Sequence, residues 1–412
     1  MKYSIFTSLI AICILFAVTS PAVTSESPLL EKEGFPLFMT YPGLQGKISR
    51  VKILEGSTPL VPMLELEKKL FSDANMPSPQ EPLLWVKQDD NSSEELGGNK
   101  ARKLEFLLAK AVEQKAKKLV TCGMEGSNHA LAVAIAGRRF GFEVELILGP
   151  QPLTENVKQK LLAFHALGAK IHFHNFRIGM GLEMAGYSLW NKFQKDTLYI
   201  PPGGSNEIGD LGYVNAFLEL VDQVGIEGLP DQIVLPLGSM GTTAGLLVGS
   251  CLAGAWEKVK IIGVNVADPM FTTDSATRKQ AQKVYNFIRK KLDSASNPLP
   301  ECDFAHSKKA FEFVKSYYAP EYGASVPAVH EDMALLERTE NMILDGTYSG
   351  KAMHYYLDTV RSTLAAGKTP PKMLFWLTYS AYDLNKFIDA HTWTNPEKKW
   401  LDLPKSIWKL FE

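Results

Sequence analysis

The chain has 412 residues, 45% of them hydrophobic and 22% charged, enough apolar material for a large core in one big or two medium domains. A formal net charge of -1, with no long block of like charge, leaves no electrostatic footprint for nucleic acid or an anionic membrane, so a small-molecule partner is expected. Cys13 lies in the N-terminal apolar run, which leaves Cys122, Cys251 and Cys302, too few and too scattered for a disulfide framework or a metal site; no metal is expected.

Met1-Lys2 precedes an apolar run from Ile5 through Val18 and then small residues around Ala22 and Ser25, the layout of a secretory signal peptide. A membrane anchor is the alternative, but the run is short for a span and no charged stop follows it. Residues 1–25 are therefore expected to be removed, between about Val23 and Ser27, giving an exported, periplasmic or extracellular protein with no stable membrane insertion. From Glu31 to Leu96 the chain reads as loop and short strand, around Thr58-Pro59-Leu60 and Leu83 to Lys87, without helical periodicity.

Gly97-Gly98-Asn99-Lys100-Ala101-Arg102-Lys103-Leu104-Glu105 comes next. Two glycines allow a tight turn, and Leu104, Leu107, Leu108, Ala111 and Val112 then recur at helical spacing, so Lys100 opens a helix that runs to Lys115. An ammonium there meets the positive end of the helix dipole, which favours the neutral amine, the form that attacks an aldehyde. A solvated surface lysine is the plain alternative for this residue taken alone.

Strands are expected at Lys118 to Thr121, Val144 to Leu148, Lys170 to His174 and Leu198 to Ile200, with a helix from Ala130 to Phe140. A second series has a strand Ile233 to Leu237, a helix through Leu246 and Leu252 to Ala255, and a strand Lys260 to Val266. Strands alternating with helical patterns argue for βαβ units and parallel sheets. The charged segment Met270 to Tyr318 reads as an elaboration with a solvated face, Met373 to Leu377 as the last core strand, and Trp393 to Glu412 as a packing segment.

Two further turns lie between a strand and a helix. Gly238-Ser239-Met240-Gly241-Thr242-Thr243-Ala244-Gly245 brings glycines, hydroxyls and a helix N-terminus together, which suits a single phosphate; no P-loop lysine closes it and it does not fit G-x-G-x-x-G. Gly123 to His129 places Ser127, Asn128 and His129 at a helix start, where ligands bind in open α/β sheets; for Ser127 or Asn128 a plain N-cap role is the alternative.

Together these segments resemble the fold-type II (tryptophan synthase β-like) pyridoxal-phosphate enzymes, within them the family of 1-aminocyclopropane-1-carboxylate deaminase and D-cysteine desulfhydrase. The likeness runs from about Leu60 to Leu384 and includes Tyr348-Ser349-Gly350-Lys351-Ala352-Met353, Tyr322-Gly323 before Pro327, and Gly203-Gly204-Ser205 with Leu211-Gly212-Tyr213. It implies two open parallel-sheet α/β domains with pyridoxal 5'-phosphate in the cleft between them: a large domain from residues 26–102 and 206–412, and a small one from 103–205. It also implies that Lys100 bonds the cofactor and later carries a proton, and that Gly238, Ser239, Met240, Gly241 and Thr242 hold the phosphate. Asn128 then meets the phenolic oxygen, Ser127 and His129 meet the substrate carboxylate, and Tyr348 and Tyr322 stand near the reacting carbons, Tyr348 as base or nucleophile. A homodimer is the expected assembly.

Within that family His129 and Ser349 stand where the deaminase has glutamine and glutamate, so the chain leans to the desulfhydrase side. A hydroxyl from Ser349 or Thr378 facing the pyridine nitrogen would leave the ring a weaker electron sink, suited to β-elimination from a small D-amino acid more than to opening a cyclopropane. One departure is Tyr379-Ser380 in place of the family's Gly-Gly, which places a ring at the pocket's edge. The other classes left open are the deaminase itself, a nicotinamide-dependent dehydrogenase, which would need the absent fingerprint glycines and an acid where Asn265 stands, and a homologue that binds ligand without turnover.

Overall fold

The computed structural model describes residues 30–31, 34–94, 96–190, 195–269, 272–292, 298–317, 323–381 and 383–412; the N-terminal apolar run and Tyr322 lie outside them. Strand β1 (Leu30–Glu31) pairs antiparallel with β2 (Arg50–Val51), and α1 (Pro36–Thr40) between them buries Leu37 and Phe38. Strand β3 (Leu60–Pro62) leads into α2 (Leu64–Asp73), then β4 (Leu84–Gln88) and α3 (Asn99–Glu113). Helix α2 corrects the reading of this region as free of helical pattern. Its buried face is only Leu66, Leu70 and Phe71, with Glu67 turned inward to accept the Leu83 and Leu84 N–H groups, so its apolar period is diluted by charge.

A four-stranded parallel sheet follows: β5 (Lys118–Met124), α4 (Asn128–Phe140), β6 (Glu143–Gly149), α5 (Glu155–Ala166), β7 (Lys170–Phe173), α6 (Arg177–Trp190) and β8 (Thr197–Ile200), in the order β7-β6-β5-β8. Helices α4 and α5 start where Ser127 and Thr154 accept N–H bonds from Ala130 and Val157, and α4 stops at Gly141 in the left-handed region, φ 74°.

The larger sheet is completed by α7 (Leu211–Val224), β9 (Gln232–Leu237), α8 (Gly241–Leu252), β10 (Lys260–Asn265), α9 (Asp274–Lys291), β11 (Phe311–Val314), α10 (Pro327–Glu340), α11 (Ser349–Ala365) and β12 (Met373–Leu377). Its order is β11-β10-β9-β12-β4-β3, parallel except for β3 at one edge. The central strands are buried along nearly their whole length, which is why they read as unbroken apolar runs. The short α12 (Asn385–Ala390) and the segment beyond it bring Ile388, Trp393, Leu403 and Ile407 onto the core of the four-stranded sheet, although they follow the larger sheet in sequence.

The segment from Met270 to Tyr318 is a second correction. Rather than an elaboration, its α9 buries Ala281, Val284, Tyr285 and Ile288 against α8, and β11 forms the edge of the six-stranded sheet. Lys279, Arg289 and Lys290 are exposed as expected. Arg278 instead is buried and donates to the Phe304, Ser307 and Phe311 carbonyls. The cysteines are a third correction, because Cys251 on α8 and Cys302 form a disulfide with Cα atoms 6.1 Å apart, while Cys122 is buried and free.

Candidate active site

In the six-stranded sheet β9, β12 and β4 lie side by side and parallel, so three following segments leave the same edge together: the turn at Gly238, Thr378-Tyr379-Ser380, and the loop from Asp89 to Lys100. Strand order changes direction there, since β9 leads onward to β10 on one side and borders β12 on the other, and such a switch point opens a crevice. The four-stranded sheet contributes the ends of the neighbouring strands β5 and β8, which carry Ser127 to His129 and Pro201 to Ser205.

Lys100 occupies the first turn of α3 as expected. Gly97 and Gly98 are required there: a Cβ on Gly97 would sit 2.4 Å from the Asp90 carbonyl oxygen and from Ser380 Oγ, and Gly98 has φ +81° with its Cβ position 2.8 Å from the Thr378 carbonyl oxygen. The Lys100 amine donates to Asn99 Oδ1 at 2.7 Å, and Asn99 Nδ2 donates to Thr242 Oγ1 at 3.0 Å. Burial first, and the Lys103 charge second, bring its pKa down from 10.5 to about 7, with Asp345 opposing. Desolvation is thus the larger of the two causes that favour the neutral amine.

The remaining charges of this motif each anchor a different stretch of chain. Arg102 binds Asp89 and Glu219 in a buried network that also takes in Lys87, Thr58, Tyr213 and Trp376. Lys103 donates to Ser205 Oγ at 2.9 Å and the Gly203 carbonyl at 3.2 Å, and pairs with Asp210 at 3.5 Å. Glu105 accepts the Ile53 and Leu54 N–H groups. Lys100, the one lysine of the motif with no carboxylate partner described, is set in place by neighbours that are so paired.

The turn Gly238-Ser239-Met240-Gly241-Thr242 joins β9 to the N-terminus of α8, where the first N–H groups have no intrahelical acceptor. Met240, the N-cap residue of α8, takes the left-handed conformation, φ 68°. Ser239 Oγ is 2.8 Å from Ser205 Oγ, and a Cβ on Gly241 would lie 2.0 Å from Asp210 Oδ1 and 2.6 Å from Lys103 Nζ. Helix N–H groups, the Ser239 and Thr242 hydroxyls, a nearby ammonium, and the buried Thr243 Oγ1 with no protein partner form a donor set that fits a phosphate.

On the opposite wall, Ser127 Oγ accepts the Ala130 N–H at 3.1 Å, so its hydroxyl works as the cap of α4, the plainer of its two readings. Asn128 Oδ1 accepts from Lys160 Nζ at 2.6 Å. Thr121 Oγ1 donates to the Ile200 carbonyl at 2.9 Å and lies 3.0 Å from His129 Nε2; with its only hydrogen so used, it accepts, which places the imidazole proton on Nε2. Burial, then the charges of Lys100 and Lys103, hold His129 well below its ordinary pKa, so it is neutral at pH 7, and its buried Nδ1 has no hydrogen-bond partner. A neutral ring meets a ligand by hydrogen bonding rather than by charge.

Tyr348 is the N-cap residue of α11, and its ring faces the phosphate turn: a Cβ on Gly238 would be 3.6 Å from Tyr348 Cε1. Asp345, which no sequence argument singled out, builds this corner. Its carboxylate accepts the Tyr348 and Ser349 N–H groups, both at 3.0 Å, and the Ser349 hydroxyl at 2.6 Å, while its own N–H donates to Ser349 Oγ at 2.9 Å. Ser349 is thus consumed inside the turn and is not free for a ring nitrogen. Thr378, at the end of β12, remains as the candidate hydroxyl. Tyr379 is half-buried against the core beside α11, and burial first, then Asp345, pushes its phenol up to about 12. Asp345 also acts electrostatically on Lys100, Lys160 and Lys351, which makes it the charge shared by the residues of both walls.

The family model described as "Pyridoxal-phosphate dependent enzyme" matches residues 51–378. The chain is 31% identical over 289 residues to a bifunctional D-cysteine desulfhydrase/1-aminocyclopropane-1-carboxylate deaminase of Arabidopsis thaliana, covering 67% of each chain. It is 29% identical over 343 residues to a D-cysteine desulfhydrase of Yersinia pestis, covering 79% of this chain and 94% of that one. A solved structure of an ACC deaminase homologue superposes with a TM-score of 0.65 at 24% identity, covering 87% of this chain and all of that one, a likeness of fold.

Proposed function

Since the chain belongs to the pyridoxal-phosphate dependent enzyme family, we propose that it is a lyase that converts a small D-amino acid such as D-cysteine, with one water, to pyruvate, ammonia and hydrogen sulfide. One observation carries this reading: the amine with a pKa of about 7 at Lys100 stands at the same sheet edge as the phosphate-binding turn of α8. The bound cofactor supplies an aldehyde for that amine and an electron sink for the substrate's α-carbon.

Everything else is the protein's work. Gly238 to Thr242 would hold the phosphate, the Asn128 NH2 would donate to the phenolic oxygen, and Thr378 would offer a hydroxyl to the ring nitrogen. The Lys100 amine would take the α-proton, and its depressed pKa keeps it able to accept one at neutral pH. His129 Nδ1 and the Tyr348 hydroxyl complete the substrate side. The Asp345 carboxylate is held by the start of α11, and Thr378 would offer the ring nitrogen a hydroxyl rather than a charge, which would favour expulsion of a good β-leaving group over ring opening. Steady-state assays of D-cysteine, β-chloro-D-alanine and 1-aminocyclopropane-1-carboxylate provide the test. Turnover of the cyclopropane as fast as the other two would replace this reading with the deaminase, and turnover of none would leave a ligand-binding homologue.

The same reading places the mature protein outside the cytosol, probed by sequencing its N-terminus from the native host. The apolar run from Ile5 to Val18 and a Cys251–Cys302 disulfide, a bond rare in cytosolic proteins, support it. It takes the assembly to be a homodimer, a point for light scattering.

A further inference from the structure

Lys160 lies on α5, outside every motif, and the chemistry above does not use it. Its residue is 6% exposed, yet both of its acceptors are neutral: Asn128 Oδ1 at 2.6 Å and the Gly126 carbonyl at 2.9 Å. Burying an ammonium on neutral partners is costly, and burial does bring this amine down to about 8. An ordinary core position would be filled by an apolar side chain at lower cost, so the lysine has work to do at the atoms it touches.

What it does to Asn128 follows from hydrogen-bond chemistry. An ammonium only donates, so the amide face turned toward Lys160 must be the carbonyl oxygen, and the NH2 must point the other way. Without that bond, the two ends of the amide are nearly interchangeable and the group can turn over. The second bond, to Gly126, spans Ser127 and ties down the turn that carries Asn128. We propose that Lys160 is a positioning residue, which locks the Asn128 amide with its NH2 turned away from α5 so that the site always offers the cofactor's phenolic oxygen a donor. The proposal rests on the reading of Asn128 as a cofactor ligand.

The experiment is an equilibrium titration of apoprotein with pyridoxal phosphate, read by absorbance, for the wild type and for Lys160→Met, Lys160→Gln, Asn128→Ala and the double variant Asn128→Ala/Lys160→Met. Lys160→Met should bind about tenfold more weakly, the loss expected for one hydrogen bond no longer presented in the right sense. Lys160→Gln keeps an N–H donor for Asn128 Oδ1 without the charge, and should stay within about threefold of the wild type. In the Asn128→Ala background, Lys160→Met should add nothing. Equal losses in the Met and Gln variants, or a Met loss that persists without Asn128, would overturn the proposal in favour of a charge or packing role. Wild-type affinity in Lys160→Met, with Asn128→Ala weakened, overturns it alone. Wild-type affinity in Asn128→Ala overturns instead the reading on which it rests. Circular dichroism checks the fold of each variant, and Lys160→Ala carries the same comparison if the Met variant does not fold.

Discussion

Capture of the cofactor aldehyde by Lys100 should be fast at neutral pH and should level off above it. At pH 7 an amine with a pKa of about 7 is about half neutral, whereas one at the ordinary 10.5 is neutral only to about 0.03%. The structure therefore places roughly a thousandfold more reactive amine at Lys100 than at an exposed lysine, since only the neutral form attacks. Stopped-flow mixing of apoprotein with pyridoxal phosphate between about pH 5.5 and 9 measures this, with a free lysine derivative run alongside to remove the aldehyde's own titration. The rate should rise to a plateau with a midpoint near 7, and Lys100→Ala should abolish capture. The sign for stability follows: because the folded pKa lies below the unfolded one, the unfolded chain binds more protons between about pH 7 and 10.5. This group's contribution then makes the apoprotein more stable as pH rises through that window. A capture rate that climbs tenfold per pH unit past pH 9 would refute the reasoning, because Lys100 would then be an ordinary, solvated amine.

Asp345→Asn removes the charge that opposes the depression of Lys100, so the capture midpoint should move down, and loss of one acceptor at the start of α11 should cost about 1–2 kcal/mol in urea unfolding. Arg102→Met leaves Asp89 and Glu219 buried without their main partner and should cost about 3–5 kcal/mol by the same measurement. Cys251→Ser opens a cross-link of sequence separation 51, for which loop entropy gives about 4 kcal/mol; reducing the wild type should reproduce the loss, and mass spectrometry should find Cys122 as the free thiol.

Sequence alone settled whatever is carried by contiguous residues. The Gly97-Gly98 turn into α3, the glycine-rich turn into α8 and the cap of α4 are local events, in which backbone freedom, hydroxyls and helix starts fall within a few positions, so their place and much of their chemistry could be read directly. The apolar runs of the central parallel strands were legible for the same reason: a strand buried on both faces shows no alternation. The segment with α9 and β11 was not, because the apolar face of α9 is a narrow stripe in a highly charged sequence and β11 has four residues at a sheet edge. Asp345 was passed over although it caps the Tyr348-Ser349 motif just after it, whereas Lys160 and the Lys103–Asp210 pair escaped notice because their partners are remote in sequence. Their roles exist only once strand order sets the ends of β9, β12 and β4 together and faces them with the end of β5. The same is true of Cys251 and Cys302, whereas Ser349 gives its hydroxyl to Asp345 only four positions away, a local contact at the start of α11. Local backbone chemistry is written into the chain, but the partner of a buried charge is chosen by topology, because desolvation makes each such group pair with whatever the fold brings within reach.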